Sequence, residues 1–395
     1  MLKLKYLFIA VLFVCASCKD GESETTTPAP APGAENVKPI AATFPDAVFT
    51  DVSTVQKGTA SLTILDRLIA LINATPEGEA IHLNIFLFDY QPLVQAVKDA
   101  NTRGVKMHVM MDLSRQESHE TNPMTMTELR RPLEAKGGEV ISVVNDASTS
   151  AINHNKFALF TKVKTTGGVV ENLVFQTSHN FTPDDARKYQ DALTIADAGL
   201  YGAYKTYWTD MKAKASSGMK DYYYKEYEDA TAGIVAYFMP KRRNGTSYGD
   251  DTIIGFLSSI QDPASATIKI GMSDWTKTRL NIVQKLSELQ AQGAKIELVV
   301  KDKIDPEIMT GVRELQQNGA TVKVFATSRN NIHAKFILIE GNWQGAPAKV
   351  LITGSHNFTQ NALRNNNETM LLLKNHKLFA DYSAYFESLK AVPGI

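Results

Sequence analysis

The sequence predicts an α/β fold that occurs twice, as two similar lobes. Internal similarity is the first observation: NLVFQTSHNFT at 172–182 returns as KVLITGSHNFT at 349–359, and INHNKFALF at 152–160 returns as NIHAKFILI at 331–339. The two histidine segments are offset by 179 residues, about the length of one domain. The second observation is a strand, a helix and a strand in succession in each half, which is typical of a βαβ unit.

The elements of the first half follow from its apolar pattern. An apolar run at 79–89 predicts a buried strand. A helix is predicted over 93–102, because Gly104 follows it and glycine commonly terminates helices. A second apolar strand comes next at 105–112. In the second half the corresponding strand, helix, glycine and strand are 266–273, 278–292, Gly293 and 294–302.

Each half closes with an aromatic helix, around 204–211 and around 382–389. The aromatic residues recur at helical spacing, so we predict that they pack in the core and do not bind a ligand. Lobes are therefore expected at 43–215 and 251–395, joined by a linker at 216–250. This linker is rich in Ser, Gly, charged residues and Tyr. Tyrosine suits a membrane interface, but we interpret these tyrosines as packing contacts.

Residues 1–18 have the features of a secretory signal. Lys3 and Lys5 precede an apolar run that is too short to span a bilayer, and small residues lead to Cys18. A cysteine after small residues resembles a bacterial lipobox, which implies cleavage before Cys18 and lipidation of its thiol. The alternative is an ordinary signal peptide with a leftover cysteine.

The segment 19–42 is rich in Pro, Ala and Thr and predicts a flexible tether. With a lipidated Cys18, the membrane would be a partner through an N-terminal anchor. We therefore expect export across the inner membrane and anchoring to the outer membrane, with the cell surface as one option. We also expect a monomer.

The overall composition restricts the class of protein. The 395 residues are 44% hydrophobic and 21% charged, which excludes a collagen, a coiled coil and a polytopic membrane protein. Basic and acidic residues number 42 each, which argues against a chain that holds nucleic acid by bulk charge. Both cysteines, Cys15 and Cys18, lie near the N-terminus, so the folded body has no disulfide and no thiolate metal site.

Each half places a histidine and a lysine on one face of a strand. Alternate side chains of a strand share a face, so His154 and Lys156 point the same way, as do His333 and Lys335. A lone histidine in such a strand is usually a core residue, whereas a lysine is rarely buried without a partner. Because the pair occurs in both halves, a functional site is the better interpretation.

A serine and an asparagine follow each of these pairs at the end of a later strand. Ser178 and Asn180 share a direction by the same parity, and so do Ser355 and Asn357. Imidazole, ammonium, hydroxyl and amide groups together suit a tetrahedral oxyanion such as phosphate. Neither an acidic cluster nor the spacing of the remaining histidines indicates a metal site. The sequence therefore predicts chemistry that needs no metal and no other cofactor.

With these motifs the chain resembles the phospholipase D superfamily, which carries two copies of His-x-Lys-x4-Asp, each followed by Gly-Ser-x-Asn and a later acidic residue. The resemblance covers about residues 45–390. It implies two α/β/α sandwich lobes packed pseudo-symmetrically around one active-site cleft. The matching residues are His154, Lys156, Ser178, Asn180 and Asp191 in the first half, and His333, Lys335, Ser355, Asn357 and Glu368 in the second.

Three positions depart from the pattern of the family. Thr161 and Glu340 stand where each motif has its final Asp, and Thr177 stands where the first copy would have Gly. In the family that Asp is mostly structural, so its replacement is compatible with catalysis. Asp191 and Glu368 each lie 11 residues after the motif asparagine, and the resemblance implies that their carboxylates orient the two imidazoles.

The resemblance also implies a two-step displacement at phosphorus. One histidine attacks the phosphodiester and forms a phosphohistidine, and the other protonates the leaving alcohol and then activates water. By analogy His154 is the nucleophile and His333 the acid, although the sequence leaves the reverse assignment open. The serines add supporting hydrogen bonds. The non-bridging oxygens are held by Lys156, Lys335, Asn180 and Asn357.

The motifs predict the reaction but not the substrate. Our main hypothesis is a phosphoric diester hydrolase that acts on phospholipid headgroups, because an anchor would place it beside membranes. Loss of Lys3 and Lys5 with the signal leaves 40 basic against 42 acidic residues, whereas a nuclease usually has a basic footprint. The alternative enzyme is a secreted or surface endonuclease with nucleic acid as its partner. A further alternative is a non-catalytic surface lipoprotein that binds a phosphate ligand.

Overall fold

A computed structural model of the chain describes residues 37–220, 222, 225–243, 247–248 and 251–393. The predicted signal, Cys18 and most of the predicted tether lie outside these residues. In the described ranges, no helix has both the length and the apolar character that a membrane crossing requires.

The N-terminal lobe is a seven-stranded mixed sheet flanked by helices. Its strands are β1 (Asp46–Phe49), β2 (Ala80–Ile85), β3 (Lys106–Asp112), β4 (Glu139–Val143), β5 (Lys156–Thr165), β6 (Gly168–Thr177) and β7 (Asp191–Ala196). Its helices are α1 (Val52–Gln56), α2 (Thr63–Asn73), α3 (Gln91–Thr102), α4 (Gln116–Glu134) and α5 (Ala198–Lys214). The spatial order of the strands is β4-β3-β2-β5-β6-β7-β1.

The C-terminal lobe has the same plan. Its strands are β8 (Lys225–Asp229), β9 (Ile234–Phe238), β10 (Arg242–Arg243), β11 (Ser247–Tyr248), β12 (Thr267–Met272), β13 (Lys295–Lys301), β14 (Thr321–Phe325), β15 (Lys335–Trp343), β16 (Ala346–Gly354) and β17 (Thr369–Lys374). Its helices are α6 (Thr252–Ser258), α7 (Leu280–Ala291), α8 (Pro306–Gln317), α9 (Gln360–Arg364) and α10 (Leu378–Ala391). Its main sheet has the order β14-β13-β12-β15-β16-β17-β9-β8.

The two main sheets share one seven-strand topology, and the second sheet has β8 as an additional edge strand. In each lobe the first βαβ strands are parallel, β2 with β3 and β12 with β13, and a long antiparallel hairpin follows at β5–β6 and β15–β16. The prediction of two similar α/β lobes is therefore confirmed. The histidine segments immediately precede β5 and β15, so the duplicated hairpins carry the candidate site.

The predicted linker at 216–250 is wrong in part, because β8 and β9 are strands of the second sheet. β8 is an edge strand with mostly charged residues, KEYED, and charged edge strands look like loops in a sequence. Tyr222 is buried and packs edge-to-face on Tyr207, with ring centroids 5.7 Å apart. This contact agrees with the packing interpretation of that tyrosine.

The aromatic helices α5 and α10 pack between the two lobes. Tyr204, Tyr207, Tyr382 and Phe386 are buried in one cluster that contains residues of both sheets. Burial of each such side chain stabilises the fold by about 2 kcal/mol. The predicted core role of these aromatics is thus confirmed, and the shared cluster fixes one lobe against the other.

Candidate active site

Each histidine segment is held by the backbone of the opposite lobe. The amide of His154 donates to the carbonyl of Asn367 (2.9 Å), and the amide of His333 donates to the carbonyl of Tyr189 (2.9 Å). Asn367 and Tyr189 each return a hydrogen bond to the residue two positions before the histidine, at 3.0 and 2.8 Å. The two half-sites therefore share a pseudo-twofold backbone frame, and both lie at the junction of the lobes.

A carboxylate orients the imidazole of His154. Nδ1 of His154 lies 3.0 Å from Oε1 and 2.9 Å from Oε2 of Glu368, which is fully buried. Asn366 donates from Nδ2 to Oε1 of the same carboxylate (3.0 Å). Because a carboxylate accepts hydrogen bonds, this contact places the proton on Nδ1 and leaves the lone pair on Nε2. The predicted partnership of Glu368 with an imidazole is present.

A neutral amide takes the equivalent place beside the second histidine. Nδ1 of His333 lies 3.0 Å from Oε1 of Gln190, and Ser178 donates to the same oxygen (2.8 Å). Gln190 also donates from Nε2 to the carbonyl of Asp185 (3.3 Å). The imidazole of His333 is therefore oriented without a carboxylate.

The prediction that Asp191 orients an imidazole is wrong. Oδ2 of Asp191 accepts hydrogen bonds from Thr353 (2.7 Å) and from the hydroxyl of Tyr382 (2.8 Å), both in the other lobe. Burial raises the pKa of Asp191, whereas these hydrogen bonds oppose the rise. Its side chain ties the lobes together and does not reach a histidine.

One missing residue explains the error. Ser178 pairs through its amide with the carbonyl of Asp191 (2.9 Å), and Ser355 pairs in the same way with Thr369 (3.0 Å). Asp191 is thus equivalent to Thr369, which follows Glu368, and Gln190 is equivalent to Glu368. The connection from serine to strand is 13 residues in the first half and 14 in the second. Counting 11 residues from each motif asparagine therefore led to Asp191 in the first half, one residue beyond Gln190, which is the true equivalent of Glu368.

Two lysines lie beneath the histidines and are completely buried. Nζ of Lys156 donates to the carbonyl of His154 (2.9 Å), and Nζ of Lys335 donates to that of His333. Burial lowers the pKa of Lys156 to about 8 and the pKa of Lys335 to about 7. The positive charge of Lys156 further lowers the pKa of Lys335. Both lysines are therefore close to losing their protons at neutral pH.

The histidines differ in basicity. Burial lowers the pKa of both imidazoles. The charge of Glu368 opposes this effect for His154, whereas Lys335 and other cations depress the pKa of His333 further. His154 and Lys156 are among the groups that depress the pKa of His333. The two histidines and two lysines therefore share one electrostatic environment.

The motif asparagines and serines lie at the strand ends beside these groups. Asn357 accepts at Oδ1 from the amide of Asp274 (3.2 Å), while Oδ1 of Asn180 is buried without a hydrogen-bond partner among the described atoms. Ser178 and Ser355 accept at Oγ from the following strands, at 3.0 and 3.1 Å. The serines therefore fix the strand ends.

The two departures from the final motif Asp lie far from this cluster. Thr161 accepts from the amide of Ala80 (2.9 Å) and donates to Glu79 (2.7 Å), at the start of β2. Glu340 is exposed and pairs with Lys349 (3.1 Å). Neither residue contacts a motif histidine, so these substitutions act on strand packing and not on the chemistry.

Sequence reasoning missed Gln190, Asn366 and a partly buried ion pair. Asp185 accepts from the amide of Asn180 (3.1 Å) and pairs with Lys188 (2.5 Å). Aligning the halves on the motif serines and allowing one deletion would have identified Gln190.

Within the described residues, no group of three or more His, Cys, Asp or Glu is arranged to hold a metal ion.

Comparisons with known proteins agree with this architecture. The family model described as cardiolipin synthase, PLD-like domain, matches residues 68–213 and 258–390. A mitochondrial cardiolipin hydrolase of Chlamydomonas reinhardtii is 26% identical over 125 residues, which are 32% of this chain and 52% of that relative. The chain therefore matches about half the length of this curated relative.

Solved structures show the same fold. The phosphatidylserine synthase of Haemophilus influenzae Rd KW20 superposes with a TM-score of 0.62 at 12% identity and covers 88% of each chain. A polyphosphate kinase from Porphyromonas gingivalis gives 0.53 at 13% identity over 87% of this chain and 49% of the kinase. At such identities the likeness concerns the fold alone.

Proposed function

The chain belongs to the phospholipase D superfamily, as a member of its cardiolipin synthase, PLD-like domain family, and on that premise we propose that it is a metal-independent phosphodiesterase. The proposed reaction is hydrolysis of phospholipid headgroup phosphodiesters through a phosphohistidine. The observation that carries the proposal is the pair of imidazoles, each oriented at Nδ1 by the opposite lobe and each beside a buried lysine.

The asymmetry of the half-sites supports His154 as the nucleophile. Glu368 accepts from Nδ1 of His154, so Nε2 presents its lone pair to phosphorus and the carboxylate stabilises the charge that develops on the ring. In the first step an Nε2–P bond forms and the bond from phosphorus to the leaving oxygen breaks. A proton passes from His333 to that oxygen. Bound phosphate would raise the depressed pKa of His333 and so favour its proton-donating form.

Water completes the cycle in the second step. His333, now neutral, accepts a proton from water as the water oxygen bonds to phosphorus and the Nε2–P bond breaks. The transferring group stays negatively charged throughout, so Lys156 and Lys335 supply charge complementarity that a metal ion supplies in other phosphotransfer sites. Asn180 and Asn357 would add amide hydrogen bonds to the non-bridging oxygens.

Phospholipid is the favoured substrate because the family description and two relatives, a cardiolipin hydrolase and a phosphatidylserine synthase, concern phospholipids by name. The equal numbers of acidic and basic residues support lipid over nucleic acid. Endonuclease activity and non-catalytic phosphate binding remain the competing functions.

A direct test offers the mature chain labelled phospholipid vesicles and labelled single-stranded DNA, both in EDTA. Release of the headgroup from vesicles supports the proposal, and shortened oligonucleotide replaces it with the nuclease. If a folded chain gives neither product, non-catalytic phosphate binding is the remaining function. The double variant H154N/H333N is the control for contaminating activity. Complete loss of lipid hydrolysis in EDTA would contradict a metal-independent mechanism.

The proposed location is the outer membrane, reached through a lipid on Cys18. A chain that combines Cys18→Ala with a conventional cleavable signal in place of residues 1–17 should appear in the soluble fraction of the periplasm, because the lipidated cysteine is lost while the signal is still removed. Retention in the membrane fraction would contradict the anchor.

A further inference from the structure

We propose that Asp274 and Lys301 form a subsite that binds the leaving alcohol and selects alcohols that carry a further hydroxyl group. Asp274 comes two residues after the end of β12, and Lys301 is the last residue of β13. This inference rests on the proposed function, because that mechanism places the departure of the alcohol beside His333.

The subsite adjoins the second half-site. The amide of Asp274 donates to Oδ1 of Asn357 (3.2 Å), a motif residue. In the sheet, β12 lies between β13 and β15, and β15 begins at Lys335, whose ammonium donates to the carbonyl of His333. Lys335, Asp274 and Lys301 therefore follow one another across the ends of three neighbouring strands. Ligands of α/β proteins commonly bind at the carboxyl ends of parallel strands such as β12 and β13.

The carboxylate of Asp274 and the ammonium of Lys301 offer a hydrogen-bond acceptor and a donor side by side. Nζ of Lys301 lies 2.5 Å from Oδ1 of Asp274, and Ser273 donates to Oδ2 (3.3 Å). The side chain of Asp274 is 42% exposed and that of Lys301 is 13% exposed, so the pair reaches solvent. A hydroxyl group can donate to the carboxylate and accept from the ammonium at the same time.

Asp274 remains ionised in this position. Burial would raise the pKa of Asp274, but the positive charges of Lys301 and Lys335 hold that pKa below its ordinary value. The acceptor therefore carries a full negative charge at neutral pH, and hydrogen bonds to charged groups are about twice as strong as those between neutral groups.

The N-terminal lobe has an apolar residue at the equivalent of Asp274. The residue after each motif asparagine donates from its amide to the carbonyl of Leu87 (2.9 Å) or of Asp274 (3.0 Å), which makes these two positions equivalent. Leu87 is buried, and the ring of Phe86 beside it has its centroid 5.4 Å from that of the imidazole of His154. The half-site of His154 is therefore apolar where that of His333 is polar.

The equivalent of Lys301 in the N-terminal lobe is also closed to a ligand. Asp112 ends the second parallel strand of its lobe, as Lys301 does in the other lobe. Asp112 is fully buried and accepts from the amides of Ser114 (2.8 Å) and Asn153 (2.7 Å). Its carboxylate therefore fixes the chain before His154 and is not presented to solvent.

This difference in polarity gives the substrate an orientation. In the proposed mechanism the phosphoryl group stays with the diacylglycerol while it is bonded to His154, and the alcohol leaves as His333 protonates its oxygen. Phe86 and Leu87 suit the glyceride, whereas the pair of Asp274 and Lys301 suits an alcohol with a hydroxyl group a few atoms from the scissile oxygen. A site that pairs with a substrate hydroxyl discriminates against an analogue that lacks it.

The test compares two lipids that differ in the hydroxyl groups of the leaving alcohol. Phosphatidylglycerol releases glycerol and phosphatidylpropanol releases propanol, and the two headgroups have the same charge, so the vesicle surfaces have matched potentials. We expect the mature chain to prefer phosphatidylglycerol by about tenfold in kcat/KM, the effect of one charge-assisted hydrogen bond. Asp274→Leu, which installs the residue of the N-terminal lobe, should reduce this preference to about twofold or less, through a loss concentrated on phosphatidylglycerol.

Glu307→Gln is the matched control, because Glu307 forms an exposed pair with Lys277 (3.5 Å) in the same lobe. It should keep the preference of the parent chain. Lys301→Met removes the ammonium and keeps the carboxylate, so it should lower the preference to about threefold. Lys301→Met decides the outcome if Asp274→Leu fails to fold in a thermal scan.

Three results would overturn the inference. The first is a parent chain that hydrolyses both lipids equally well. The second is an unchanged preference in Asp274→Leu or, where that variant does not fold, in Lys301→Met. The third is an equal loss on both lipids in Asp274→Leu, which would show that Asp274 acts on the chemistry through Lys335 and not on the alcohol.

Failure of the proposed function would be recognised separately, as hydrolysis of neither lipid by the parent chain. The subsite is then tested by calorimetric titration with glycerol phosphate and with propyl phosphate, which differ in the same hydroxyl groups. Tighter binding of glycerol phosphate that is lost in Asp274→Leu supports the subsite. Equal binding of the two ligands, binding of neither, or a preference that survives in Asp274→Leu contradicts it.

Discussion

The half-sites of His154 and His333 share a backbone frame and a buried lysine, but they differ in the group that orients the imidazole. His154 has the carboxylate of Glu368 at Nδ1, whereas His333 has the neutral amide of Gln190 there. Duplication thus preserved the backbone frame that holds both histidines at the junction of the lobes. Divergence of the orienting residues gave the two rings different basicities, which is what a nucleophile and a proton donor require.

Removal of each imidazole gives the largest expected effect and separates the two roles. H154N should lose at least about 10³-fold in kcat on every substrate, because no Nε2–P bond can form. H333N should lose about 10³-fold on an alkyl leaving group, within the range for general acid catalysis. On a p-nitrophenyl phosphodiester, which needs no protonation of its leaving group, H333N should lose about tenfold or less in the first step. Rescue of H154N, and not of H333N, by the activated substrate would reverse the assignment.

Exchange of the orienting residues should have a smaller effect that differs between the halves. E368Q should lower kcat/KM about 10–100-fold, because the ring of His154 loses the carboxylate that raises its basicity. Q190E should change kcat/KM by less than tenfold but raise the pKa of His333, since a carboxylate replaces a neutral amide. Stopped assays over pH 5–9 measure both effects. Equal loss in E368Q and Q190E would contradict functional asymmetry.

The alkaline limb of the pH profile should report the buried lysines. The pKa of Lys335 is lowered to about 7 and that of Lys156 to about 8, and an ammonium that loses its proton also loses the charge that stabilises a phosphate oxygen. In the free enzyme kcat/KM should therefore fall as pH rises above about 7. K335R keeps its charge at high pH, so its alkaline limb should move upward toward the pKa of Lys156. An unchanged limb in K335R would assign the limb to another group.

The same buried charge should cost stability, which gives the smallest expected effect. The pKa of Lys335 is lower in the folded chain than its unfolded value of about 10.4, so the cost of burying the charge is complete below pH 7 and fades as pH rises toward 10. K335M should raise the free energy of unfolding at pH 6 by about 2 kcal/mol, measured by urea titration. The gain should vanish near pH 10. The exposed K106M is the control, and an equal gain there would contradict the argument.

Much of the fold could be predicted because its determinants are local. The apolar strands, the helices that end before Gly104 and Gly293, and the repeated hairpins all follow from short-range periodicity. β8 could not be predicted, because an edge strand satisfies only half of its backbone and tolerates charged residues that resemble a loop. Its pairing with β9 depends on a sheet edge that exists only after folding.

The sequence by itself determined that the pairs His154–Lys156 and His333–Lys335 recur at the start of two duplicated strands, because the repeat is visible in the order of the residues. Only the tertiary structure decided which group orients each ring. Gln190 and Glu368 reach imidazoles of the opposite lobe, and their equivalence became visible through strand pairing at Ser178 and Ser355 and not through residue counts. Contacts between lobes depend on packing in three dimensions, where a one-residue deletion moves a neighbouring side chain from the site to the interface.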